Sequence, residues 1–122
     1  MDDFTEEKFR RIVNQFLNDF KNLVLDKSLY IHSRQNNRDA LLDLGLTAQQ
    51  REEIILSLSV ADYCSGPEKD KYKPGYYWVF GKKIDNAEIY IKLKISEYQG
   101  EEYPICFSFH GSEHPLKYLL VD

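Results

Sequence analysis

The chain has 122 residues, 43% apolar, 14% aromatic and 30% charged, with a formal net charge of −4. That length is about one domain, able to bury roughly two thirds of its unfolded surface without a disulfide or metal staple, and the composition is that of a globular protein. No apolar run nears the roughly 20 residues that span a bilayer, and the opening MDDFTEEKFRR lacks the basic-then-apolar order of a signal peptide, so the expectation is a cytoplasmic protein with no membrane partner.

From Phe9 the apolar residues fall at 9, 12, 13, 16, 17, 20, 23 and 24, the stripe of an amphipathic helix. Thr5 as N-cap, with Glu6 and Glu7 in the first turn, predicts a helix over about 5–25. SLYIHS (28–33) is β-prone and short, an edge-strand pattern. RQNNRDALLDLG (34–45) reads as a brief helix closed by Gly45, and Thr47 with Gln50 forms a capping box that opens a third helix ending near Leu58. Gly66-Pro67 and Pro74-Gly75 punctuate DYCSGPEKDKYKPG (62–75), which reads as a loop.

Beyond it the period changes from 3.6 to 2. YYWVFGK (76–82), EIYIKLKI (88–95) and YPICFSFH (103–110) read as an antiparallel meander. With Asp85 and Asn86 at the first tip, Val79 faces Lys92, Tyr77 faces Lys94, and Trp78 and Phe80 join Ile91 and Leu93 on an apolar face. In the last strand Ile105, Phe107 and Phe109 alternate with Cys106, Ser108 and His110. The predicted fold is α+β, two to three N-terminal helices packed on a small antiparallel β-sheet. It is a single domain over 1–122, helical to about 60, with the meander at about 76–110 and a tail at 111–122.

Charge is unevenly spread. Residues 69–94 hold seven lysines against Asp70, Asp85 and Glu88, a local +4, and each flank is −4. Cys64 and Cys106 stand 42 positions apart without a CxxC companion, which reads as buried free thiols. The sheet's second face would collect Tyr77, Glu88, Tyr90, Lys92, Lys94, Ser108 and His110. Cleaving RNA without a metal needs a group to take the 2′-hydroxyl proton, another to protonate the leaving oxygen, and cations for the pentavalent phosphate; Tyr, His, Glu and Lys can fill these roles. His110 supplies an imidazole, the side chain whose charge changes nearest neutral pH. Glu113 and His114 follow it without the helical spacing of a metal motif. Lys69, Lys71 and Lys73 form a basic flap suited to phosphates, and Tyr76 and Tyr77 can stack on bases, while Trp78 has core parity. The same pattern also fits the wet face of an ordinary sheet, or a non-catalytic module holding a protein partner or nucleic acid.

IILSLSVADYCSG, the Trp78 strand, IYIKLKI and ICFSFH, spread over residues 38–110, resemble the MqsR family of toxins, messenger-RNA endonucleases of bacterial type II toxin–antitoxin pairs with a RelE-related fold. The resemblance implies catalytic roles for Tyr90, Lys92 and His110, the last where the family has lysine. It leaves Lys94, Lys82, Tyr77, Lys69 and Lys71 as substrate-binding residues, with no cofactor and no metal. Single-stranded mRNA and a cognate antitoxin are the implied partners. The family's glutamine after the tryptophan is Val79 here, and its lysine after the Asp-aromatic pair is replaced by Cys64 and Ser65.

Overall fold

A computed structural model describes residues 2–33 and 35–121. Met1, Arg34 and Asp122, which fall within the expected helix, domain and tail boundaries, lie outside the described residues. Helix α1 spans Asp3–Lys27 and buries Val13, Phe16, Leu17, Phe20 and Val24, the stripe expected from the sequence. Its cap is Asp2 rather than Thr5: the Asp2 carboxylate accepts from the Thr5 amide at 2.8 Å, so the helix begins two residues early. Strand β1 (Tyr30–Ile31) follows, then α2 (Gln35–Leu44). Gly45, at φ +69°, ends α2 in the left-handed region, and Leu46 N–H returns to Leu41 C=O at 2.8 Å. In α3 (Ala48–Leu56) the Thr47 hydroxyl accepts from the Gln50 amide at 3.0 Å, and the Gln50 side chain accepts from the Thr47 amide at 2.8 Å.

The sheet comprises β1, β2 (Tyr63–Lys69), β3 (Tyr76–Ile84), β4 (Ala87–Tyr98) and β5 (Glu101–Gly111), in spatial order β1-β5-β4-β3-β2. The expected register is present: Val79 opposes Lys92 and Tyr77 opposes Lys94. The architecture is α+β with helices packed on one sheet face, as the sequence implies, but the sheet is mixed, because β1 joins β5 in parallel. The core lies between α1 and the sheet. Phe16 stacks on Trp78 at 4.9 Å, and Phe80, Ile89, Ile91, Leu93 and Phe109 are fully buried beside them. Among the described residues, no helix is long and apolar enough to cross a membrane.

Three further features depart from expectation. Residues 63–69 form an edge strand rather than a loop, with two register shifts against β3 around Gly66-Pro67; proline is compatible with an edge because one side of the strand makes no ladder. In β5 the alternation slips: Lys92 opposes Ser108 while Leu93 opposes Cys106, leaving Phe107 as a bulge residue. Cys106 therefore enters the core, and Phe107 joins the lysine-bearing face instead of Phe109's side. Lastly, the tail crosses the second face of the sheet. Glu88 accepts from the Leu116 amide at 2.9 Å and the Tyr118 hydroxyl at 2.8 Å, and Leu120 ends fully buried in the core.

Candidate functional site

Strand β4 carries the centre of the site, because residues two apart on a strand share a face and lie about 6.6 Å from one another. Tyr90 and Lys92 are such a pair. Opposite Tyr90, on β5, stands His110, and the two rings stack with centroids 5.4 Å apart and planes 19° apart. Both rings are half-buried and line a cleft of about 300 Å³ closed on its far side by Ser112, His114, Pro115 and Leu116 of the tail. His110 Nδ1 lies 3.0 Å from the Gly111 carbonyl oxygen, which gives the imidazole a fixed neighbour on one side. Among the described residues, no three His, Cys, Asp or Glu side chains group to hold a metal ion, His114 and Glu113 included.

Lys92 is half-buried and reaches along the sheet away from Tyr90. Its ammonium lies 4.5 Å from the Tyr77 ring centroid and 5.5 Å from that of Phe107, a double cation–π arrangement that holds the charge on this face. Ser108, its cross-strand partner, is buried. Beneath this layer Lys94 donates to Asp70 at 2.7 Å, and both side chains are almost inaccessible, at 4% and 5% exposure. The other contacts of Asp70 come from the Tyr77 hydroxyl at 2.9 Å and the amides of Tyr72 at 2.8 Å and Lys73 at 3.2 Å. Lys94 first, then these donors, hold the Asp70 carboxyl well below the usual carboxylate range. A buried ion pair is tolerable when the remaining lone pairs are satisfied, as they are here.

The sequence candidates thus separate. Tyr90, Lys92, His110 and Tyr77 share one surface. Lys94, on the same face, is bonded to Asp70 and almost inaccessible. Lys82 opposes Ile89 on the helix-covered side of the sheet and pairs with Asp62 at 3.2 Å, on the opposite face from Tyr90. Lys69 and Lys71 are exposed, Lys69 on the edge strand opposite Tyr76 and Lys71 in the turn that Asp70 anchors. The anticipated flap is therefore a strand and a tethered turn. Glu88, another occupant expected on the open face, is taken by the tail; the Leu116 amide, then the Tyr118 hydroxyl, lower its pKa. The thiols of Cys64 and Cys106 are both pushed up to about 12, chiefly by burial, which makes them poor nucleophiles.

Sequence reasoning missed His32, Asn37, Tyr72 and Phe107. The His32 ring stacks on Phe107 at 4.5 Å and 22°, and Phe107 meets Tyr77 at 4.9 Å. Buried Asn37 organises them: its amide donates to the carbonyls of Phe107 at 2.9 Å and His32 at 3.0 Å, and its side-chain oxygen accepts from the Phe109 amide at 2.9 Å. No local pattern marks that asparagine, because two of the three partners named lie 70 and 72 positions away.

Searches of protein-family models, curated proteins and solved structures find no match to this chain.

Proposed function

We propose that this protein is a metal-independent endoribonuclease that cuts single-stranded mRNA, acting in the cytoplasm as the toxin of a type II toxin–antitoxin pair. The observation that carries the reading is the stacked Tyr90–His110 pair with Lys92 one step along the same strand. It supplies two proton-handling groups and a cation on one face of the sheet, the kinds of group that phosphodiester transfer requires. The sequence resemblance to MqsR-type toxins points to the same three residues.

In this reading one member of the Tyr90–His110 pair takes the proton from the ribose 2′-hydroxyl as its oxygen attacks phosphorus. The other gives a proton to the departing 5′-oxygen. The products are a 2′,3′-cyclic phosphate and a 5′-hydroxyl, so no water and no external reactant enter the first step. Lys92 stabilises the charge that accumulates on the non-bridging oxygens. Lys94 and Asp70 act as positioning residues, because their bond fixes the strand and turn from which Lys92 and Tyr77 project. The net-positive 69–94 segment lies within an acidic chain, and local attraction at contact operates within a Debye length of about 8–10 Å. A cognate antitoxin would cover this face.

Expression of the chain in a bacterial host tests the proposal. Growth arrest should appear with the parent chain and be relieved by Tyr90→Phe or His110→Ala at unchanged protein level and fold. Arrest of equal strength in both variants would remove these residues from the site, and RNA binding without cutting would favour a non-catalytic nucleic-acid module.

A further inference from the structure

Further along the strands from the Tyr90–His110 cleft lies a second one of about 300 Å³, lined by His32, Tyr72, Lys73, Tyr77, Ile105 and Phe107, with the Asp70–Lys94 pair as part of its lining. We infer that this cleft is a nucleobase subsite, seating by stacking one unpaired base of the RNA next to the cut; this rests on the nuclease reading above.

Four observations converge on that ligand. Phe107 reaches the face only through the bulge, which turns a large apolar ring out of the core phase and against His32 and Tyr77. Asn37 holds the two chain segments that carry His32 and Phe107, so the aromatic wall is built rather than incidental. Tyr72 is 92% exposed although its own amide is fixed by Asp70, which presents its ring to solvent from an anchored backbone. Its volume lies at the small end of ligand sites, roughly 300–1,000 Å³, and suits one base.

Charge narrows the chemistry further. Lys92 already lies over Tyr77, and Lys73 lines the cleft, so a cationic ligand would meet cations. Asp70 is compensated by Lys94 and does not offer a bare negative charge. The fitting ligand has an uncharged flat ring attached to an anion, which describes a nucleotide. With its base in the cleft, the attached phosphate falls toward Lys92, whose ammonium lies 4.5 Å from the Tyr77 ring centroid. Stacking engages any π-face, so the subsite should grip every base with similar strength.

The test uses a 2′-O-methyl hexanucleotide, which lacks the attacking hydroxyl, and the same oligomer with one abasic position moved along it in turn. Stacking is worth roughly 1–3 kcal/mol per base, so one abasic position should weaken binding about 5- to 150-fold. Tyr72→Ala and Phe107→Leu should weaken the intact oligomer similarly and leave the matching abasic oligomer unchanged. Truncating Tyr72, 92% exposed, should cost little stability, and Tyr98→Ala, 66% exposed and on β4, serves as the control. Equal affinity for intact and abasic oligomers, the same loss with Tyr98→Ala, or no binding overturns the subsite. Failure of the nuclease reading registers separately, as an unmodified RNA that is never cut while the stacking results hold.

Discussion

Tyr90 and His110 face each other across β4 and β5 with their rings stacked, centroids 5.4 Å apart. Because a positioned acid or base contributes about 10²- to 10⁴-fold, Tyr90→Phe and His110→Ala should each reduce RNA cleavage by that order. The double variant should be little worse than the poorer single one, since both act in the same transesterification step. Fragment yield over time, with circular dichroism to verify the fold, measures this. Losses that simply multiply would show the two rings acting independently.

The Asp70–Lys94 bond gives the fold a defined acid sensitivity. The Asp70 carboxyl is depressed below its ordinary 3.8 in the folded state, so its contribution to stability is complete above that pH and drains away as the pH falls through and below it. The unfolding midpoint in urea should therefore fall steeply between about pH 4 and pH 2, and Asp70→Asn should flatten that slope. Lys94→Met, which leaves a buried carboxylate uncompensated, should lower Tm at pH 7 on the order of 10 °C, and adding Asp70→Leu should recover much of the loss. A wild-type slope unchanged in Asp70→Asn would show that other carboxylates set the acid limit.

The tail is part of the fold, and Leu120 is its anchor. Leu120→Ala should cost about 2–5 kcal/mol in chemical denaturation, the range for truncating a fully buried leucine. At Gly81 a β-carbon would lie 2.6 Å from both the Leu116 side chain and the Tyr118 hydroxyl. Gly81→Ala should thus displace the strap and speed tryptic cleavage after exposed Lys117, with little loss of global stability because the displaced groups are the ends of flexible side chains. Unchanged proteolysis would mean that the strap has room to shift without detaching.

The readable and unreadable parts of this chain divide by the range of the interactions involved. Capping at Thr47–Gln50, closure at Gly45 and the β3–β4 register follow from residues within a few positions of one another, and all three are present. Strand β2 was hidden because Gly66-Pro67 signals a turn, whereas its place at the sheet edge is decided by pairing with β3. The bulge was hidden because Phe107 keeps an unbroken apolar alternation. Its phase is set by Asn37 from another element. Likewise, Lys94 and Lys92 are indistinguishable by period, and only the distant Asp70 makes one a buried partner and leaves the other on the open face.

The proposed activity is most directly tested by incubating the purified chain with a single-stranded RNA in EDTA, alongside the Tyr90→Phe/His110→Ala double variant and an RNA with a 2′-deoxyribose at the cut position. Discrete fragments ending in 2′,3′-cyclic phosphate and 5′-hydroxyl are expected from the parent chain alone, with the deoxy-substituted position resistant. RNA that stays intact, or cutting that persists in the double variant, would contradict the proposal.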